Sequence, residues 1–303
     1  MLYGSLATVA VIAVVKGEEM PPKVSDIMAL MEMIAPRELA ESWDNVGLAV
    51  GGVAWPVERV WVALDPSLEV VAAACAQHVD LLITHHPLIL KPLSAIDDRM
   101  PIGRIAHMAI GHQLAIYCAH TNLDSVQDGL NDLLSRRIGL ADLTVLLPEH
   151  GADGPNGFDA ALAAANSTTA PQGIGRVGRL PTAMTLPQLA AQVKSQLALD
   201  RVRYCGDDVL VVRRVAVCTG SGGSLMEPFF ASGAEVFLSG DLKYHDARDA
   251  EAMGKGLIDV GHFASEHLMV AHVATRLKAL ATDYGLAVSV DACQIESDPF
   301  KTI

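Results

Sequence analysis

Two histidine–carboxylate pairs with the same spacing are the residues of this sequence best suited to chemistry. His120 and Asp124 form the pattern H-x-x-x-D, and His262 and Glu266 form H-x-x-x-E. If a helical turn covers each pair, both side chains lie on one helix face, because residues i and i+4 are neighbours there. Imidazole and carboxylate groups are the usual donors for zinc, manganese and iron. Each pair taken alone is also compatible with a surface ion pair or a helix cap.

An internal duplication places both pairs at the same position of two copies of one folding unit. Residues 59–63 (RVWVA) resemble residues 214–218 (RVAVC) at an offset of 155 (214 − 59), and residues 82–84 resemble residues 237–239 at the same offset (237 − 82). The offset between the histidines is 142 (262 − 120), so the second copy is shorter by 13 residues (155 − 142) between those points. A repeated unit that carries the same two donors predicts a metal site shared between two pseudo-symmetric halves.

The first copy adds His85 and His86, which directly follow a predicted buried strand. Ligands of open parallel sheets gather at the carboxyl ends of strands. Consecutive residues of an extended segment point in opposite directions, so we expect these imidazoles to serve two different metal ions. The alternative is that one imidazole bonds a loop carbonyl while the other is solvated.

The segment TGSGGS joins a predicted strand to a predicted helix in the second copy. The backbone amides of Gly220, Ser221 and Gly222 could bind a phosphate or another part of a substrate. The segment lacks the G-K-[ST] of a P-loop, and a tight strand-to-helix turn would explain it equally.

Three polar residues of the second copy follow the strand equivalent to the one before His85. They are Asp241, Lys243 and His245. Groups at this position are candidates for substrate contact, for support of a ligand or for proton transfer. A solvated helix start is the alternative.

Hydrophobic periodicity predicts strands that alternate with helices, which is typical of parallel sheets with crossover helices. We therefore predict an α/β fold of two similar, duplicated domains with mainly parallel strands and the metal site at their interface. The predicted helices cover residues 24–34 (with Ser25 as N-cap), 66–78, 101–111, 128–138, 186–199, 225–231, 244–253 and 264–284. The predicted strands cover residues 60–64, 80–84, 114–118, 215–218, 235–238, 257–260 and 287–290.

The predicted division of the chain follows from this pattern. Residues 20–138 form the first half, and residues 139–303 form a linker, rich in small and polar residues over 149–175, plus the second half. The C-terminal part could pack back on the first half. Residues 1–19 are predicted to be an extension outside the core, with a short anchor or an edge strand as the alternatives.

Composition excludes several classes of protein. The chain has 303 residues and a hydrophobic content of 51%. Its net charge of −13 argues against a general nucleic-acid binder, which would normally have a basic face. Its 5 cysteines form no C-x-x-C motif, as expected for reduced thiols in a cytoplasmic protein. No apolar run approaches the roughly 20 residues of a membrane helix, so we expect no membrane partner.

The combined motifs resemble the Nif-three-like dinuclear-metal proteins, also named GTP cyclohydrolase 1 type 2-like proteins. The resemblance extends from about residue 20 to residue 300. The segments that carry it are residues 41–47 (ESWDNVG), 84–87 (THHP), 120–124 (HTNLD), 173–178 (GIGRVG), 220–222 (GSG), 239–241 (SGD), 261–262 (GH) with Glu266, and 298–300 (DPF).

This resemblance implies two similar α/β domains, a two-metal centre at their interface and a toroidal homohexamer. Carried over by motif, the metal ligands are His85, His86, Asp124, His262 and Glu266, and they would hold two divalent ions of zinc, iron or manganese per chain. His120 would lie close by, as a weak ligand or a supporting group.

The family name implies hydrolytic opening of the guanine ring of GTP. A metal-bound water with a pKa near 7 can attack a purine carbon, and two metals about 3.5–4 Å apart also suit hydrolysis of phosphate esters. The first hypothesis is therefore a metal-dependent hydrolase of a nucleotide or a related small substrate. The alternative is a non-enzymatic metal-binding scaffold, metal-handling protein or regulatory protein.

Overall fold

The computed structural model describes residues 21–148 and 172–301. The predicted extension over residues 1–19 and most of the predicted linker lie outside the described residues. No helix in the described ranges has the length and apolar character needed to cross a membrane.

Eleven strands and ten α-helices form the described part of the chain. The strands are β1 (Gly47–Val50), β2 (Arg59–Ala63), β3 (Leu81–Thr84), β4 (Ala115–Cys118), β5 (Ala141–Pro148), β6 (Gly173–Thr185), β7 (Arg203–Cys205), β8 (Val211–Ser221), β9 (Val236–Gly240), β10 (Gly256–Asp259) and β11 (Ser289–Ala292). The helices are α1 (Val24–Ile34), α2 (Leu68–Ala76), α3 (Pro101–Gly111), α4 (Thr121–Ser125), α5 (Leu130–Arg137), α6 (Leu186–Gln196), α7 (Met226–Ala231), α8 (Tyr244–Ala252), α9 (His262–Glu266) and α10 (Leu268–Asp283). Short 3-10 turns cover Arg37–Leu39 and Gly222–Leu225.

The strands form two sheets. The first has the order β1-β4-β3-β2-β11, with β4, β3, β2 and β11 parallel and β1 antiparallel at one edge. The second has the order β5-β6-β8-β9-β10-β7, with β8, β9 and β10 parallel and antiparallel strands on both sides. The fold is therefore the predicted α/β class, and the parallel strands are buried apolar runs because helices cover both faces.

The C-terminal helix and strand belong to the first sheet. Strand β11 pairs with β2 in register Val290↔Val60, and α10 contacts α1 and β11. Its apolar face, which includes Val273 and Leu277, is buried in the same core as Leu82. The chain therefore returns to its first half after it completes the second sheet.

Several predicted boundaries are wrong. The single helix predicted over 264–284 is broken at His267 into α9 and α10. The predicted N-cap Ser25 is also wrong, because the helix begins at Val24 and the carboxylate of Asp26 accepts the N–H of Lys23 at 2.8 Å. Strands β1, β5, β6 and β7 were not predicted, and Gly173 already lies in β6 rather than in the linker.

A buried ion pair joins the two halves. Arg176 of β6 donates from Nε to Oδ2 of Asp132 on α5 at 2.9 Å. Its other nitrogens donate to the carbonyls of Gly173, Gly175, Ser125 and Val126. The guanidinium is thus fully used in a buried contact, so the arginine of the GIGRVG segment has a structural explanation that requires no ligand.

Candidate metal centre

The structure brings together the six predicted ligand-type residues at the carboxyl ends of parallel strands. His85 and His86 directly follow β3. His120 caps α4 and Asp124 lies within it, after β4, while α9 follows β10 and carries both His262 and Glu266. A short helical turn therefore positions each histidine–carboxylate pair, and the side chains come from both halves.

Glu266 lies between imidazoles of the two halves. Its side chain is only 4% exposed, and its Oε2 lies 2.9 Å from Nε2 of His86 and 2.9 Å from Nε2 of His262. Its other oxygen, Oε1, lies 3.6 Å from Nε2 of His85. The two oxygens of one carboxylate thus face different imidazoles.

Asp124 approaches the same region from the first half. Its Oδ1 lies 3.9 Å from Nε2 of the fully buried His85. The hydroxyl of Thr219, at the end of β8, donates to that oxygen at 3.0 Å. Strand β8 of the second half therefore fixes a carboxylate of the first half.

Every imidazole of the cluster has its Nδ1 engaged by an oxygen outside the cluster. The acceptors for His86, His120 and His262 are carboxylates, and the acceptor for His85 is a backbone carbonyl. The distances are 2.7 Å from His86 to Asp65, 3.0 Å from His120 to Asp44, 2.8 Å from His262 to Asp241 and 3.0 Å from His85 to the carbonyl of Ala119. Metal-binding histidines are typically oriented in this way, with the second ring nitrogen free for a cation.

Two buried atoms of the cluster make no hydrogen bond of good geometry in the described part of the chain. They are Nε2 of His85 and Oε2 of Glu266, although Nε2 of His86 and Nε2 of His262 each lie 2.9 Å from that oxygen. Buried polar atoms are nearly always satisfied, so such a pair needs an explanation. A cation between them would satisfy both, and the donor set of imidazoles and carboxylates fits zinc, iron or manganese.

The donor atoms fall into two groups that could each hold an ion. His85, His86 and His120 form one, and His86, His262 and Glu266 form the other, with the donor atoms of each group within 4.8 Å of one another. The two groups share His86, whose Nδ1 faces Asp65, so its Nε2 can serve only one of them at a time. The residues present therefore fit a metal ion.

The titration behaviour of the cluster reflects its buried carboxylates. Burial opposes the charged form of His86, but the neighbouring carboxylates of Asp65 and Glu266 outweigh it and raise the pKa to about 10. The Glu266 carboxylate is also the main cause that raises the pKa of His262 to about 9. Burial raises the pKa of Asp124, whereas the surrounding imidazoles hold the pKa of Glu266 well below its usual range despite burial. Protonated imidazoles and a bound cation are alternative ways to balance this negative charge.

Gly220 allows β8 to approach the cluster closely. A Cβ atom at this position would lie 2.1 Å from Oε1 of Glu266, and the backbone has φ +62°. Any side chain would therefore displace the carboxylate and strain the backbone. Part of the GSG segment thus serves the packing of the cluster.

The predicted substrate-binding residues have different environments. The amide of Gly220 already donates to Oγ of Ser265 at 2.8 Å, and Gly222 is buried in the 3-10 turn, whereas Ser221 is exposed. Asp241 supports His262, while Lys243 and His245 are exposed at the start of α8. The role of these residues in substrate binding stays a prediction.

Sequence analysis named Asp241 as a candidate support but did not single out Asp44 or Asp65, the other two carboxylates that hold imidazoles. Asp44 accepts from His120 and from both the amide and the hydroxyl of Thr121. Burial opposes its charge, but these hydrogen bonds hold its pKa at about 2. Asp44 lies in the ESWDNVG segment shortly before β1, and Asp65 lies two residues after the end of β2, so their positions near strand ends were the available signal.

Comparisons with known proteins agree with this architecture. The family model described as Duf34/NIF3 (NGG1p interacting factor 3) matches residues 22–299. A Clostridium acetobutylicum protein named GTP cyclohydrolase 1 type 2 homolog is 33% identical over 279 residues, which cover 92% of this chain and 98% of that protein. A Streptomyces coelicolor protein of the same name is 33% identical over 282 residues, which cover 92% and 94% respectively.

Solved structures show the same similarity. The crystal structure of a Bacillus cereus protein related to NIF3 has a TM-score of 0.84 at 28% identity and covers 94% of this chain and 100% of that chain. A hypothetical protein of Staphylococcus aureus has a TM-score of 0.82 at 32% identity with the same coverage of 94% and 100%. The chain therefore belongs to the Duf34/NIF3 (NGG1p interacting factor 3) family.

Proposed function

We propose that this protein holds two divalent metal ions at the cluster and hydrolyses a nucleotide or a related small substrate there. The observation that supports this best is the orientation of the imidazoles. Four rings have Nδ1 bound to an oxygen outside the cluster, and the Nε2 of three of them lies within 4 Å of the carboxylates of Asp124 or Glu266. A cluster built only for stability would not need this convergence of charged groups, because buried charges are costly.

The proposed ligands are His85, His86, Asp124, His262 and Glu266. Glu266 would bridge the two ions, because its Oε1 faces His85 while its Oε2 faces His86 and His262. Asp124 and His85 would complete one ion site from the first half.

The chemistry that such ions supply when bound is Lewis acidity and a lowered pKa of water, which are suited to hydrolysis. The chain's own residues orient the site. Asp65, Asp44 and Asp241 fix the rings of His86, His120 and His262. His120 is placed to hold or move a proton at Nε2, because its Nδ1 is bound to a carboxylate that stays ionised.

The name of the relatives, GTP cyclohydrolase 1 type 2 homolog, supports the proposal of a nucleotide substrate. Asp241, which contacts His262, and the exposed Lys243 and His245 are the proposed contacts for a polar substrate, together with the backbone of residues 220–222. We also propose a cytoplasmic homohexamer, for which light scattering of the purified protein is the direct test.

The deciding experiment is anaerobic purification, elemental analysis and a screen of nucleotides for turnover. We expect two metal ions per chain and activity that disappears on chelation and returns with added metal. Turnover that survives thorough chelation would refute the metal-dependent mechanism. Two firmly bound metals without turnover of any nucleotide would instead favour the non-enzymatic scaffold.

A further inference from the structure

Glu296 is a buried carboxylate that neither the motifs nor the cluster explains. It lies in the C-terminal segment after β11, and its side chain is only 4% exposed. Its Oε1 accepts hydrogen bonds from the amides of Leu64 and Asp65, each at 2.9 Å, and its Oε2 lies at the same distance from the amide of Leu64. A buried carboxylate is tolerated only with such partners.

These two amides lie where the pairing of β2 with β11 ends. The last pair in register is Ala292↔Val62, and the amide of Cys293 donates to the carbonyl of Val62 at 2.8 Å. Beyond that point the Glu296 carboxylate accepts the hydrogen bonds that the carbonyls of a neighbouring strand would otherwise accept. It therefore holds the backbone of Leu64 and Asp65, the two residues that follow β2.

The same two residues hold His86 at both its backbone and its ring. The amide of His86 donates to the carbonyl of Leu64 at 2.9 Å, and its Nδ1 lies 2.7 Å from Oδ1 of Asp65. The ring then presents Nε2 to Glu266. The Asp65 side chain is 49% exposed, so packing around it does little to fix its position. Its position therefore depends on the backbone of Asp65, which Glu296 holds.

On its other side, the Glu296 carboxylate faces the ring of His267, which stacks on Phe263. Nε2 of His267 lies 3.6 Å from Oε2 of Glu296, and the His267 ring stacks on Phe263 with 4.6 Å between centroids. His267 directly follows Glu266 in the chain and stands at the break between α9 and α10. Glu296 therefore lies between the strand end that supports His86 and the helix end that carries Glu266.

We propose that Glu296 is a positioning residue for the metal centre. Through the amides of Leu64 and Asp65 it fixes the Asp65 carboxylate, and Asp65 fixes the direction of the His86 ring. This inference rests on the proposed function, because it assigns a role within the same metal site.

The test is zinc(II) affinity, measured on the metal-free full-length protein by competition with a chromophoric chelator. Glu296→Ala removes both acceptors, and we expect zinc binding to weaken about ten- to a hundredfold, as for other groups that support a metal ligand. Glu296→Gln keeps a carbonyl oxygen at the Oε1 position, which accepts from both amides, so it should retain most of the affinity. Glu296→Asp keeps the charge but withdraws the carboxylate, so it should weaken binding like Ala and decides the case if the Ala variant does not fold.

A double-mutant cycle separates positioning from general support. If Glu296 acts through Asp65, then Asp65→Ala alone should match Glu296→Ala, and the double variant should bind zinc about as well as either single variant. Exposed Glu69→Ala is the matched control and should leave affinity unchanged.

The outcomes are distinct. Losses that add in the double variant, or a Gln variant as weak as Ala, would overturn the proposed route through Asp65. Unchanged zinc affinity in Glu296→Ala and Glu296→Asp would overturn the role of Glu296 and leave the metal site intact. A wild-type protein that binds no zinc, iron or manganese would refute the proposed function itself, and the positioning role with it.

Discussion

Replacement of Glu266 by glutamine is the most informative single perturbation of this protein. Glutamine keeps the shape of the side chain but removes the charge that lies between His85 on one side and His86 and His262 on the other. If Glu266 bridges two cations, the variant should lose affinity for both. If Glu266 binds only one ion, the variant should lose affinity for that ion alone.

The size of the effect follows from the geometry. At an effective dielectric constant of about 20, unit charges about 4 Å apart attract by about 4 kcal/mol, so a dication and a carboxylate attract by about 8 kcal/mol. Desolvation of the buried carboxylate offsets several kcal/mol of this. A net loss of about 2–4 kcal/mol per ion remains, which corresponds to roughly 30- to 1,000-fold weaker binding of each metal.

The assay is a zinc titration of the metal-free protein together with elemental analysis after dialysis. Wild type should retain two ions per chain, Glu266→Gln should retain neither at micromolar free zinc, and His262→Ala should lose mainly one. Glu69→Gln, at an exposed position, controls for the loss of a negative charge from the chain. Circular dichroism of each variant checks that the fold is kept.

The bridge hypothesis has a clear refutation. If Glu266→Gln loses a single metal with normal affinity for the other, Glu266 is a terminal ligand. If both metals stay bound, Glu266 is a supporting group, and its position between three imidazoles needs another explanation.

Three further predictions concern the packing and charge of the site. Gly220→Ala should displace Glu266 and abolish tight zinc binding in the chelator assay, because its Cβ would lie 2.1 Å from Oε1, whereas Gly223→Ala, with its nearest neighbour at 3.6 Å, should behave as wild type. In the metal-free protein the pKa of His86 is raised to about 10, so its stabilising contribution is fully present below the unfolded value of about 6.5 and is lost as pH rises towards 10. Urea unfolding at pH 6, 8 and 10 should show this decline, and His86→Ala should flatten it. Arg176→Met should cost about 3–5 kcal/mol in urea unfolding because it leaves the buried Asp132 with only the exposed Arg136, 3.9 Å away, and the double variant with Asp132→Leu should recover part of that loss.

The sequence allowed the fold class and most central elements to be predicted. Helix α3 has the predicted bounds, and β3 and β4 are each one residue shorter than predicted, because continuous apolar runs with clear ends specify buried parallel strands. The strands that were missed lie outside this pattern. Strand β6 contains Gly173, Gly175 and Gly178, and a segment this rich in glycine resembles a loop in the sequence. Its pairing with β5 and β8 is a long-range contact that local periodicity does not reveal.

The candidate site was predictable only in its innermost residues. Imidazoles and carboxylates at repeated spacing are visible in the chain, and the structure brings them together, although their role as metal ligands stays a prediction. Two of their supports, unlike Asp241, are not visible, because Asp44 and Asp65 reach the rings from loops 76 and 21 residues away. Glu296 is 231 residues from the amide of Asp65 that it holds. Such contacts depend on tertiary structure, and an isolated aspartate or glutamate carries no local signal of them.

The divergence of the two copies has a physical reason. With the offset of 155, Asp65 corresponds to Gly220, and His85 corresponds to Gly240 (65 + 155 and 85 + 155). A Cβ at Gly220 would meet Glu266 at 2.1 Å, and a Cβ at Gly240 would meet the backbone N of His262 at 2.7 Å. One centre at the junction of two similar halves cannot hold full side chains from every equivalent position. The first half therefore supplies the additional imidazoles, and the second half has glycines at the equivalent positions, which make room for Glu266 and for the backbone of His262.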